Sequence, residues 1–350
     1  MNVYSLAKPL LFTLPPETAH SLVHHGLQAA ERGRLRGLCR RRLAVDDDRL
    51  TVEAFGQTFP NPVGVAAGFD KNATIPGMVR GLGFGHVEVG GVTAEPQTGN
   101  PRPRMFRLVD DEGLINRMGL NNDGADTVGA RLSDVAVDFP VGVNLAKSET
   151  TPAEEAPADY RYTYERVADG GDFFVVNVSC PNSEGFRDLQ NRDTLEAILD
   201  ELDEAGASPL LVKLSPDLPE PAVEETIEVV EEYGLDGIIA TNTTTDRPEG
   251  LHSHNRAEAG GLSGKPIESA ATEMVRFVAS RTDVPVIGVG GVFTAADAYR
   301  KIRAGASVVQ LYTGLVYRGP SIARDINKGL LTLLERDGFE SVEDAIGADL

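Results

Sequence analysis

Eight short apolar runs, separated by helical or loop-rich stretches, constrain this chain more than any other feature. They are Val63–Ala67, His86–Val92, Pro140–Leu145, Phe173–Val178, Pro209–Leu214, Gly237–Thr241, Val284–Val289 and Ser307–Leu311. Each has the length and Val/Ile/Leu content of a strand buried on both faces. Strand alternating with helix argues for a parallel sheet with right-handed crossovers. Eight such units over about 250 residues predict an α/β fold of the closed (β/α)8 TIM-barrel type. An open doubly wound sheet is the competing arrangement. It calls for G-x-G-x-x-G after the first strand, and the chain there reads Ala66-Ala67-Gly68-Phe69-Asp70-Lys71. Ahead of the barrel, Leu50–Phe55 and Thr58–Phe59 flank Gly56-Gln57 and predict a hairpin.

The first 45 residues follow another pattern. Leu6, Leu10, Leu11, Phe12 and Leu14 make a short apolar start, interrupted by Pro9 and stopped by Pro15-Pro16. Ala19, Leu22, Val23, Gly26, Leu27 and Ala30 then recur at helical spacing. Arg32, Arg34, Arg36, Arg40, Arg41 and Arg42 follow, in a chain whose net charge is −20. The division expected is therefore 1–45, an amphipathic helical extension, and 46–350, the barrel. Two short helices with a cationic edge either cap the barrel or lie on a membrane surface, and the local charge reversal favours the membrane. No apolar run approaches the roughly 20 residues that span a bilayer. Met1–Leu14 lacks the cationic start and small-residue cleavage site of a secretion signal.

The acidic balance excludes nucleic acid as a natural partner, because that field repels polyanions. Lysine is scarce, limited to Lys8, Lys71, Lys147, Lys213, Lys265, Lys301 and Lys328. Abundant carboxylates with few lysines fit a surface adapted to a very salty, charge-screening cytoplasm. Cys39 and Cys180 are the only cysteines, and neither they nor the six histidines show metal-ligand spacing, so no metal is expected.

Chemistry in such barrels sits at the C-terminal ends of the strands. There the sequence delivers Asp70-Lys71, Asn144, Asn177 with Cys180, and Thr241-Asn242-Thr243. Asn116 and Asn182 lie on loops. Amides carry both donor and acceptor, so a ring of them matches a ligand edge that alternates C=O and N–H, as in a pyrimidine-like imide. Cys180 stands before Pro181, which forces a turn and presents the thiol at a rigid strand end. It is read either as a base or nucleophile or as a small buried side chain. Lys213 lies within the apolar strand Leu210–Leu214 and needs an anionic partner. That partner is a reduced flavin or an internal carboxylate. Glycines close the last two strands, Gly288-Val289-Gly290-Gly291 and Tyr312-Thr313-Gly314, with Gly260–Gly264 as a further flexible segment. Those positions frequently bind phosphate, and a phosphorylated cofactor such as FMN fits them.

Taken together, these segments resemble the quinone-linked, membrane-associated dihydroorotate dehydrogenases. The resemblance covers almost the whole chain. It runs through AAGFDKN (66–72), GLINRMGLNN (113–122), NVSCPN (177–182), VKLSPD (212–217), ATNTT (240–244), GGLSGKP (260–266), GVGGV (288–292) and VQLYTG (309–314). It implies that Lys71, Asn116, Arg117, Met118, Gly119, Leu120, Asn144, Asn177, Asn182, Asn242 and Thr243 contact dihydroorotate or its product orotate. It implies FMN contacts from Ala67, Gly68, Gly91, Asn144, Asn177, Lys213, Thr241, Gly264, Gly291, Tyr312 and Thr313. Gly91 stands where that class usually has Thr. At position 180 that class usually has Ser as the base, whereas this chain has Cys180, as the soluble class does.

The implied reaction has Cys180 removing a proton from C5 of dihydroorotate while hydride leaves C6 for N5 of FMN. Lys213 stabilises the charge arriving on the flavin, and a quinone entering between the N-terminal helices takes the electrons. This places the enzyme in pyrimidine biosynthesis, peripheral on the cytoplasmic side of the cell membrane. Gly185, in the loop Ser183–Leu189, is a candidate lid hinge. A soluble homologue using fumarate or NAD would have no need of the apolar helices. A phosphate-binding aldolase or isomerase would carry no flavin.

Overall fold

The computed structural model describes residues 3–31, 35–178 and 191–350. Three helices come first: α1 (Val3–Thr13), α2 (Pro16–Glu31) and α3 (Leu35–Leu43). Pro9 lies inside α1, so the expected break falls later, between α1 and α2. Of the arginine cluster, Arg32 and Arg34 lie outside the described residues, and Arg36, Arg40, Arg41 and Arg42 lie in α3, the last three in its last turn. Cations there complement the C-terminal end of the helix dipole.

The hairpin follows as β1 (Val52–Ala54) and β2 (Gln57–Phe59). All eight apolar runs then appear as parallel strands. They are β3 (Val63–Val65), β4 (His86–Val92), β7 (Val141–Leu145), β8 (Phe173–Val176), β9 (Leu210–Lys213), β10 (Gly237–Ala240), β12 (Val286–Val289) and β13 (Ala306–Leu311). They pair in that order and close, β13 against β3. Helices α4 (Pro76–Gly81), α5 (Ala125–Leu132), α6 (Ala156–Val167), α7 (Arg192–Glu204), α8 (Glu220–Glu232), α9 (Glu268–Ala279) and α10 (Ala295–Arg303) fill the crossovers. α11 (Thr313–Arg318) and α12 (Ile322–Asp337) follow the last strand.

Sequence accounts for these helices locally. In α7, Asn191 accepts the Thr194 N–H at 2.9 Å as N-cap, and Leu195, Ile198, Leu199 and Leu202 repeat at helical spacing, all buried against the barrel. Each such side chain contributes about 1.5–3 kcal/mol by leaving water. In α10, Thr294 and Asp297 form a reciprocal capping box.

Besides the hairpin, three more strands lie outside the barrel and were not among the eight runs: β5 (Met105–Leu108), β6 (Gly113–Asn116) and β11 (Gly261–Gly264). They form an antiparallel sheet in the order β11-β6-β5. Gly260–Gly264, expected to be a flexible segment, is thus largely a paired strand, with Leu262 opposite Ile115.

The end of the barrel remote from the site is plugged by aromatic rings. Phe59 from the hairpin meets His86 edge-on at 5.1 Å and Phe173 at 6.3 Å. Gly64 makes room for this plug, since a Cβ there would lie 2.1 Å from His86 Nε2. Burial pushes the His86 imidazole down to about 3, so the ring is neutral at ordinary pH.

Candidate active site

A chamber with about 1240 Å³ of empty space, its mouth included, opens at the C-terminal ends of the barrel strands. The end of β3 supplies Ala67, Gly68 and Lys71; β4 supplies Gly91; β7 and β8 supply Asn144 and Asn177. Lys213, Thr241, Asn242 and Thr243 line it from β9 and β10, and Gly264, Gly291, Tyr312 and Thr313 from the far wall. Asn116, Met118, Gly119 and Leu120 reach it from the segment after β6.

One side chain of that segment departs from expectation. Arg117 does not line the chamber. Its guanidinium is bound to Glu258 and the Ala259 carbonyl, both at 2.9 Å, and stacks on Phe106 at 4.4 Å. The alternation of β6 continues through Arg117 and turns it outward. Cys180 and Asn182, with Gly185, lie outside the described residues.

The amides are joined. Asn144 donates to Glu88 at 2.6 Å, Asn177 donates to Asn144 at 3.0 Å, and Asn242 donates to Asn177 at 3.4 Å. Tyr160 donates to the Asn177 carbonyl at 2.8 Å from behind. Lys213 Nζ lies 3.0 and 3.3 Å from the two Glu88 oxygens. Of the two partners open to Lys213 in the sequence, the protein itself therefore supplies an internal carboxylate. Glu88 was missed, though the signal existed: it is the one acidic residue inside the apolar run of β4, as Lys213 is the one cation inside β9.

Lys71 donates to the Gly68 carbonyl at 2.6 Å. Burial, with the Arg104 charge nearby, pushes its ammonium down to about 8. Next to it Asp70 is fully buried. Burial pushes that carboxyl up, but bonds from His24 and from the Thr74 and Ile75 N–H groups outweigh it and hold Asp70 below its ordinary value. Burial raises the Tyr312 hydroxyl, with help from the Glu17 charge, so it stays neutral.

The N-terminal helices roof this end of the barrel. His20 of α2 lies nearly parallel to Tyr312, 6.3 Å between centroids, and edge-on to Phe69 at 5.5 Å. Glu17 binds Arg104 at 2.8 Å and Arg102 at 2.9 Å. Arg107 donates to the Leu14 carbonyl at 2.8 Å. Leu6, Leu10, Leu22, Leu35 and Leu38 of the same helices remain at least half exposed.

The sequence model of the family described as Dihydroorotate dehydrogenase matches residues 49–334. The chain belongs to the dihydroorotate dehydrogenases. It is 69% identical to the Dihydroorotate dehydrogenase (quinone) of Haloarcula marismortui, over the full length of both chains. It is 48% identical to the protein of the same name from Gloeobacter violaceus, over 99% of each. The crystal structure of ligand-free type DHODH from Eimeria tenella superposes with a TM-score of 0.89 at 39% identity, covering 95% of this chain and 99% of that one. The halophile relatives fit the acid-rich, lysine-poor composition.

Dihydroorotate dehydrogenases are flavin enzymes, and the residues present fit a flavin. The chamber has an apolar wall, and glycines at 91, 264 and 291 leave backbone bare. At Gly291, whose φ is +72°, a Cβ would lie 2.4 Å from the Glu268 Cα, so close packing of this chamber segment on α9 requires glycine there. Asn121 Oδ1 is buried at the chamber wall with no partner among the described residues. A buried acceptor of this kind belongs against a donor. Among the described residues no group of three or more His, Cys, Asp or Glu is placed to hold a metal ion.

Proposed function

We propose that this chamber binds FMN together with dihydroorotate, and that the N-terminal helices admit the quinone. The protein oxidises dihydroorotate to orotate in pyrimidine biosynthesis and passes the electrons to a quinone. The observation that carries the reading is the convergence of Lys71, three linked amides and Lys213 on one chamber at the strand ends.

Ala67, Gly68, Gly91, Thr241, Gly264, Gly291, Tyr312 and Thr313 hold FMN, with Asn144, Asn177 and Lys213 shared along its polar edge. Bound there, FMN supplies a two-electron acceptor for hydride. Every other part of the reaction is assigned to this chain's own side chains. Lys71 binds the substrate carboxylate, the only anion of dihydroorotate at neutral pH. Asn116, Asn144, Asn177, Asn182 and Asn242, with Thr243, pair with its alternating imide edge. The backbone of residues 117–120 packs along its side. Cys180 takes the C5 proton; a thiol with a reference pKa near 8.5 supplies some thiolate at neutral pH. Lys213 directs a fixed positive charge at the place where negative charge develops. The roof of α1 and α2 shields the chamber from bulk water.

Residues 1–45 form the quinone-side unit and residues 46–350 the catalytic unit. The exposed leucines of α1, α2 and α3, beside the arginines of α3, fit a peripheral contact with the cytoplasmic face of the membrane. Among the described residues no helix is long and apolar enough to cross a membrane. Acid release of the bound pigment followed by chromatography tests the cofactor assignment. FMN at about one per chain is expected from a single chamber; FAD, or a protein that takes up no flavin, contradicts it.

A further inference from the structure

We propose that Glu88 is a positioning residue for both halves of the site. Its carboxylate sets the net charge that Lys213 presents to the flavin and the donor–acceptor sense of Asn144, the first of the linked amides that meet the substrate. The inference rests on the reading of the chamber as a flavin and dihydroorotate site.

Glu88 is fully buried on β4, two residues before Gly90, and does not itself line the chamber. Lys213 does line it, with its ammonium against both Glu88 oxygens. The ion pair therefore points its positive end at the ligands and keeps its negative end behind. A buried pair of this kind is weak evidence for stability, because well-packed apolar residues often serve as well. Its placement asks for another reason.

The first reason is the sense of the amides. An Asn side chain has nearly the same shape whichever way it is flipped, so its hydrogen-bond partners set its sense; at the far end of the series the Thr243 N–H, 2.7 Å from Asn242 Oδ1, sets that of Asn242. A carboxylate only accepts. Asn144 must therefore turn its NH₂ to Glu88, at 2.6 Å. That leaves Asn144 Oδ1 to receive Asn177 Nδ2 at 3.0 Å, and Asn177 Oδ1 to receive Asn242 Nδ2 at 3.4 Å. The acceptor-only carboxylate at one end and the Thr243 N–H at the other hold all three amides in one sense, and with them the pattern shown to the substrate imide; Asn144 is the amide that Glu88 itself orients.

The second reason is charge. With Glu88 ionised, the Lys213–Glu88 unit is neutral overall and the chamber sees a dipole. Without the carboxylate charge it sees a full cation in a low-dielectric setting, which favours an anionic reduced ligand. Glu88 thus restrains how strongly the site holds electrons, and so leaves the flavin able to reduce an acceptor.

The test uses the flavin-loaded full chain and two equilibrium readouts, the flavin midpoint potential and the orotate dissociation constant. Glu88→Gln is expected to favour reduced flavin about tenfold, a positive shift of about 30 mV for two electrons. Orotate should bind roughly 3–10-fold more weakly, as expected for one displaced hydrogen bond. Glu88→Asp keeps the charge and shortens the reach, so its potential should stay near wild type while orotate weakens. In a Lys213→Met background Glu88→Gln should no longer shift the potential, because the carboxylate acts through the ammonium it faces. Wild-type potential and orotate affinity in Glu88→Gln would overturn the proposal. So would a potential shift that persists undiminished without Lys213. Should Glu88→Gln fail to fold, unchanged orotate affinity in Glu88→Asp overturns it instead. A wild-type protein that takes up no flavin fails earlier, and removes the functional reading and this inference with it.

Discussion

Replacing Lys71 by Met should remove most of the pH dependence of orotate binding between pH 7 and pH 9. Desolvation pushes the Lys71 ammonium down to about 8 in the free site. Orotate brings a carboxylate, so it binds the protonated form. The sign follows: affinity is full well below pH 8 and falls as pH rises through it. With a single titration near 8, the free site is about nine-tenths protonated at pH 7 and about one-tenth at pH 9. The dissociation constant should therefore rise about tenfold over that interval, or about 1.4 kcal/mol. In Lys71→Met the absolute affinity should fall by about 10–100-fold, the usual range for a charge-assisted bond of about 1.5–3 kcal/mol, and the pH profile should flatten. The assay is titration of the flavin visible spectrum with orotate at several pH values. A wild-type profile retained in Lys71→Met would refute the assignment of the substrate carboxylate to Lys71.

Three further outcomes follow from other parts of the molecule. Cys180→Ala should slow flavin reduction by dihydroorotate by roughly 10²–10⁴-fold, the span for a lost general base, while orotate still binds; stopped-flow reduction near the wild-type rate would dismiss Cys180 as the base. Changing Leu6 and Leu10 together to Ser should weaken binding to anionic, quinone-loaded vesicles by about 2–4 kcal/mol, judged from two largely exposed leucines; unchanged co-sedimentation would show that these helices only roof the barrel. For His86, whose folded-state value is lowered to about 3, the unfolded chain binds the extra proton between about pH 6.5 and 3. The wild type should therefore lose stability relative to His86→Phe as pH falls through that window, by about 1.4 kcal/mol per unit, and parallel denaturation curves for the two proteins would contradict this.

The barrel was legible because strands buried on both faces need no polar alternation and stand out as continuous apolar runs, as in Phe173–Val176 and Leu210–Lys213. The sheet of β5, β6 and β11 was not legible. Its strands are four residues long and mix Arg, Asn, Ser and Gly with apolar residues, so local composition reads as loop; β5 and β6 pair as a local hairpin, and β11 becomes a strand only by pairing with β6 across about 145 residues of sequence. The site residues surfaced where a polar group stood at a strand end or interrupted an apolar run. Glu88 met the second criterion as fully as Lys213 did. Its pairing with Lys213 is set by barrel closure across β7 and β8, which one-dimensional spacing does not carry. Arg117 shows the opposite failure. It sits within a segment whose neighbours line the chamber, and only three-dimensional alternation reveals that its side chain leaves.

Dihydroorotate and a quinone should exchange electrons through one flavin site in this barrel. The most direct measurement is the anaerobic visible spectrum of the purified protein, recorded before and after dihydroorotate and again after a soluble quinone. The flavin band should bleach completely with dihydroorotate and return with quinone. A flavin band that dihydroorotate leaves unchanged would contradict the substrate, and a bleached band that fumarate or NAD restores while quinone does not would contradict the acceptor.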